Sequence, residues 1–138
     1  NDLIVNVESS LRLNSPERHI CGVSLSGLFA LWASCRTQLF EGVASVSGSF
    51  WYDKFTEWFS TQEYSSSRYY FSLGEKEKDG KNLRLAAVEE ETAKIMSTLQ
   101  ANEKEVIFEY NEGNHFGPLI ERIEKAIKAI LMAQEVPA

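Results

Sequence analysis

Ser24 lies in the run Cys21-Gly22-Val23-Ser24-Leu25-Ser26-Gly27, between an apolar strand candidate at residues 19–23 and an apolar helix candidate at residues 28–34. A serine in so sharp a strand-to-helix turn projects its hydroxyl from the carboxyl end of a sheet, and small neighbours let the backbone make the turn. Gly22 precedes it by two residues, Ser26 holds the place two after where glycine is usual, and Gly27 follows at once. A helix starting here aims its dipole and free amides at any oxyanion that forms, with Leu25 N–H the first donor of an oxyanion hole. The pattern suits nucleophilic attack by Ser24 through a covalent intermediate. Ser26 is the competing nucleophile; its bland role is to be small.

A serine hydroxyl needs a base, and the chain offers two histidines, His19 and His115. His19 starts the strand that leads to Ser24. At about 3.3 Å per residue it belongs near the opposite end of the sheet, which suits a structural role. His115 sits in the glycine-flanked loop Tyr110-Asn111-Glu112-Gly113-Asn114-His115-Phe116-Gly117, after the last strand candidate. Ser24 and His115 thus both leave the carboxyl ends of strands, the edge where parallel α/β folds assemble their sites. An acid to hold the imidazole in its working tautomer is expected from the loop after the third strand. Glu75, Glu77 and Asp79 all fall there; Glu77 is the choice, and a Ser-His dyad remains if all three are merely solvated.

These residues depend on four short apolar runs, at 19–23, 43–46, 69–73 and 106–110, which alternate with helical periodicity. Residues 81–100 carry a stripe of Leu85, Val88, Thr92, Ile95, Met96 and Leu99. A last helix starting at Pro118 repeats the pattern with Leu119, Ile120, Ile123, Ile127, Ile130 and Leu131. Strand and helix in alternation imply an α/β fold: a mostly parallel sheet of about four strands with helices on both faces. Four strands leave edges that a soluble domain normally covers. Trp51, Tyr52, Phe55, Trp58 and Phe59 follow the second strand and read as core packing under a lid. Trp51, nearest the strand's end, is the candidate for an aromatic wall that binds an acyl or aryl group beside Ser24.

The 138 residues fit a single domain, 1–138, able to bury a core without staples. A net charge of −6 with dispersed acids excludes a nucleic-acid footprint, and no apolar run is long enough for a membrane span. Cys21 and Cys35 fall in an apolar strand and helix and read as small buried hydrophobes, with no spacing for metal. No cofactor or metal is expected. The opening residues have no secretory pattern, so a cytoplasmic location is expected.

With these residues in place, the chain resembles the putative-esterase family of α/β-hydrolases, especially its branch of enterobactin-type siderophore esterases. The resemblance rests on Gly22-Val23-Ser24-Leu25-Ser26-Gly27, Val46-Ser47-Gly48-Ser49-Phe50-Trp51-Tyr52, Leu73-Gly74-Glu75-Lys76-Glu77 and Glu112-Gly113-Asn114-His115. It covers the family's carboxyl-terminal half. It implies hydrolysis of small-molecule esters, with Ser24 and His115 as catalytic serine and histidine and Glu77 where an acid is expected. Family members begin with further strands, one of whose loops supplies the second oxyanion donor, whereas this chain opens on a helix at residues 2–13. A partial α/β-hydrolase fold is therefore expected, its sheet completed by a missing amino-terminal segment or a second copy. Loss of one oxyanion donor costs a factor of about 10² to 10³ in rate. The competing readings are an acyltransferase on the same residues and a non-catalytic remnant used for binding or self-association.

Overall fold

The computed structural model describes residues 2–132, apart from the side chains of residues 84, 85 and 132. Four strands, β1 (His19–Val23), β2 (Gly42–Val46), β3 (Arg68–Gly74) and β4 (Glu105–Asn111), form one sheet in the order β1-β2-β3-β4. All three pairings are parallel, so the four carboxyl ends share one edge. The strands β2, β3 and β4 run slightly beyond the apolar runs, because ladder hydrogen bonding carries on into Gly42, Arg68, Gly74, Glu105 and Asn111.

Alternating side chains divide the core between two faces. On one face Val43, Tyr69 and Phe71 pack with Ala30 and Leu31 of α2 (Leu25–Arg36), and with Ile95 and Leu99 of α5 (Val88–Ala101). Phe50 and the short helix α3 (Phe55–Phe59) fill the same cluster through Phe55 and Phe59, so most of the aromatic run after β2 is core. On the other face Ala44, Val46 and Tyr70 pack against Ala126 and Ile130 of α6 (Leu119–Met132). Helices thus cover both faces of the sheet.

Several sequence expectations change. The helix expected at residues 81–100 is divided into α4 (Leu83–Ala86) and α5, with Ala87, at φ −74° and ψ −6°, at the junction. Val88, Thr92, Ile95 and Leu99 of the anticipated stripe are buried, while Leu85's side chain lies outside those described. The last helix begins after Pro118, whose carbonyl accepts a bond from Arg122 N–H at 3.3 Å. Only part of its isoleucine stripe faces the sheet: Ile130 is buried, whereas Ile120 is 78% exposed, and Ile127 and Leu131 are also exposed. Arg122, Ala126 and Ile130, at four-residue steps, face inward. Small Ala126 lets the helix approach the sheet, and Arg122 finds buried polar partners.

Cys21 is exposed rather than buried. It pairs in register with Ala44, on the α6 face of the outer strand, where α6 lies mainly over β2 and β3. Cys35 is half-buried, and burial pushes its thiol up to about 11. The opening helix is α1 (Asp2–Ser10), shorter than anticipated, with no fully buried residue; Glu8 holds it to Arg18 through a paired ion contact. No helix among the described residues is long and apolar enough to cross a membrane.

Candidate functional site

Ser24 occupies φ 56° and ψ −120°, a strained conformation for a residue with a side chain, between the last residue of β1 and the first of α2. Such strain of about 1–3 kcal/mol persists only where the surroundings enforce it. Here Ser24 N–H donates to Val46 O at 2.9 Å, and Ser24 O accepts from Gly27, Leu28 and Ser49 amides at 3.0, 3.2 and 3.0 Å. Gly22 is obligatory for the turn, since a Cβ there would overlap the Ser26 carbonyl. Ser26, standing where glycine is usual, closes the elbow: its hydroxyl donates to Val23 O at 2.7 Å and accepts from Val23 N–H at 2.8 Å. That hydroxyl faces the backbone and not a base.

The loops after β3 and β4 are laced together by main-chain bonds, Glu75 N–H to Asn111 O at 2.9 Å and Lys76 N–H to Gly113 O at 3.0 Å. A Cβ on Gly74 would stand 2.6 Å from Gly113 O, so only glycine permits this approach. The lacing sets a 3₁₀ turn at Glu77–Asp79 opposite the histidine loop. Glu77 turns inward and is 5% exposed, while Glu75 and Asp79 stay in solvent.

These placements bring Ser24, His115 and Glu77 into one chain of contacts. Ser24 Oγ is 2.9 Å from His115 Nε2, and His115 Nδ1 is 3.1 Å from Glu77 Oε2. The network assigns the tautomer: Nδ1–H donates to the carboxylate, leaving Nε2 to accept the serine proton. Glu77's other oxygen, Oε1, accepts from Gly74 N–H at 2.6 Å, from Arg122 Nη2 at 3.2 Å and from the Ser47 hydroxyl. Burial alone would push the Glu77 carboxyl up, but hydrogen bonds from His115, Ser47 and Gly74 outweigh it and hold the group below the usual carboxylate range.

Leu25 N–H heads α2, among the amides of a first helical turn that have no intrahelical acceptor, and its side chain is exposed beside the elbow. A cavity of about 210 Å³ opens on His115, lined also by Lys76, Lys81, Asn82, Asn114 and Phe116. Trp51 lines a different, larger cavity of about 490 Å³, with Lys54 and Thr56 near α3 and Glu91 and Lys94 of α5; neither Ser24 nor His115 borders it. Trp51 follows Ser49, which contacts Ser24, by two residues. His19 lies at the far end of β1 from Ser24, 3.2 Å from Glu17.

Three site neighbours carried no assignment from sequence. Ser49 Oγ is 3.3 Å from Ser24 Oγ, and Ser47 and Arg122 hold Glu77. Both serines lie in the segment after β2 already marked by its resemblance. Arg122 is 1% exposed, and Arg122, Ala126 and Ile130 at four-residue steps were the available signal.

A parallel sheet with helices on both faces and a serine on a strand-to-helix elbow defines the class, an α/β fold of the α/β-hydrolase type. Within that class the chain belongs to the putative-esterase family, whose model matches residues 1–116. Among solved structures it is similar to the siderophore hydrolase EstB of Aspergillus nidulans, with a TM-score of 0.69 and 19% identity over 99% of this chain and 57% of that one. An IroE-like serine hydrolase from Shewanella oneidensis superposes with a TM-score of 0.72 at 17% identity, covering 92% and 43% of the two chains. The enterobactin esterase FES of Shigella flexneri gives 0.72 at 19% identity, covering 96% and 36%. The chain thus spans little more than half of the longest-covered of these relatives. No curated protein matches it in sequence.

Proposed function

We propose that this chain is a serine hydrolase that cleaves carboxylic esters through an acyl-enzyme. His115 Nε2 takes the proton of Ser24 Oγ as that oxygen attacks the ester carbonyl, and the Leu25 N–H stabilises the developing oxyanion. Collapse of the tetrahedral intermediate expels the alcohol, which receives its proton from His115. Water, deprotonated by the same histidine, then releases the acid and restores Ser24. Glu77 fixes the imidazole tautomer and stabilises its transient charge.

The observation that carries this reading is the continuous contact from Ser24 Oγ through His115 to Glu77 Oε2, built from three separate strand ends. Family membership supports the reaction class. The names of the similar structures make siderophore esters the first natural substrates to assay, and Lys76 and Lys81 beside His115 suit an acidic group on such a substrate. The test is hydrolysis of p-nitrophenyl acetate and butyrate by wild type, Ser24→Ala and His115→Ala. Turnover with a burst of one nitrophenol per chain, lost in both variants, is expected; equal rates in wild type and Ser24→Ala would exclude the mechanism.

A further inference from the structure

Arg122 is an arginine in the core of the α6 face, and its contacts are all near the site. Nη2 donates to Glu77 Oε1 at 3.2 Å and to Ser47 Oγ, while Nη1 donates to the carbonyls of Asn114 and Gly117 at 3.2 and 3.1 Å. One guanidinium therefore grips the acid and both sides of the histidine loop. A buried carboxylate and a buried guanidinium are each costly alone and tolerable together.

We propose that Arg122 is a positioning residue that balances the charge of Glu77, so that the carboxylate orients the His115 imidazole without favouring its protonated form. The proposal rests on the triad reading of Ser24, His115 and Glu77. With Arg122 in place, Glu77 orients the imidazole without an unbalanced negative charge drawing a proton onto it before substrate arrives. The other charged groups near His115 are Lys76 and Lys81 in the cavity wall, and Glu112, exposed on its own loop. Lys125 of α6 is engaged by Asn111 Oδ1 at 3.1 Å. None of these is shown touching Glu77.

Removal of the Arg122 charge leaves Glu77 facing His115 alone, which favours the imidazolium. The acid limb of fluorophosphonate labelling against pH therefore moves upward by about one to two pH units in Arg122→Gln, which keeps hydrogen-bonding capacity without charge. Arg122→Lys, which keeps the charge, returns the limb most of the way to its wild-type position. A purely structural role would lower the plateau rate and leave the limb in place; an unmoved or downward limb overturns the proposal. An NMR titration of His115 gives a readout independent of activity and is expected to show the same upward displacement. If wild type is not labelled, the hydrolase reading fails while this titration still decides the role of Arg122. Should Arg122→Gln not fold, charge balance requires the double variant Glu77→Gln/Arg122→Gln to be more stable than the single one. A double variant no more stable than the single overturns the proposal.

Discussion

Substitution of Glu77 by glutamine changes one atom type and reverses the hydrogen-bond logic of the site. Around Oε1 stand only donors: Gly74 N–H at 2.6 Å, Arg122 Nη2 at 3.2 Å and the Ser47 hydroxyl, which already receives a proton from Arg122. The glutamine carbonyl must therefore take the Oε1 position, and its NH₂ then points at His115 Nδ1. That forces Nδ1 to accept and places the ring proton on Nε2, facing Ser24, where it cannot take the serine proton. The lost charge acts in the same direction. A carboxylate 3.1 Å from Nδ1 stabilises the imidazolium by about 5 kcal/mol at an effective dielectric of about 20. Either effect corresponds to a fall in kcat of about 10³ to 10⁴. Steady-state ester hydrolysis at saturating substrate, with matched melting curves, measures it. Glu75→Gln and Asp79→Asn, both on exposed carboxylates, are expected to stay within about twofold of wild type. A Glu77→Gln enzyme within tenfold of wild type, or a loss confined to KM, would refute the tautomer argument and leave a Ser-His dyad.

Other substitutions probe the supports of the site. Gly22→Ala should abolish labelling and destabilise the fold by several kcal/mol, since its methyl overlaps the Ser26 carbonyl at the elbow; calorimetry and probe labelling check both. Ser26→Ala should keep labelling at Ser24 and lose about 1–2 kcal/mol of stability, as its two bonds to Val23 disappear, measured by urea denaturation. Glu77 also predicts an acid dependence of stability. Its folded carboxyl titrates below the unfolded value, so its contribution is present above the ordinary carboxylate range and is lost as pH falls through the folded value. Melting temperatures of wild type should accordingly fall more steeply below about pH 4.3 than those of Glu77→Gln.

Local pattern was informative where backbone geometry alone restricts the residue. Ser24 could be picked out because a strand, small residues and a helix follow one another without a linker. His115 followed because two histidines leave little choice, and parallel strand order puts its loop at the same edge. Glu77 could not be separated from Glu75 and Asp79 by sequence: which carboxylate turns inward is set by main-chain bonds between two loops over thirty residues apart. Arg122 was hidden by its type, because periodicity assigns arginine to solvent and isoleucine to the core. On α6 the inward face is instead set by small Ala126 and by the polar pocket that receives the guanidinium. Trp51 was chosen for its place just after β2, and it lines a cavity beside α3 and α5.

The most direct test of the account is intact-protein and peptide mass spectrometry after reaction with a fluorophosphonate probe. One adduct per chain is predicted, located on Ser24, absent from Ser24→Ala and strongly slowed in His115→Ala. No adduct on wild type, or an adduct that persists in Ser24→Ala on Ser26 or elsewhere, would contradict the central claim that Ser24 is a nucleophile activated by His115.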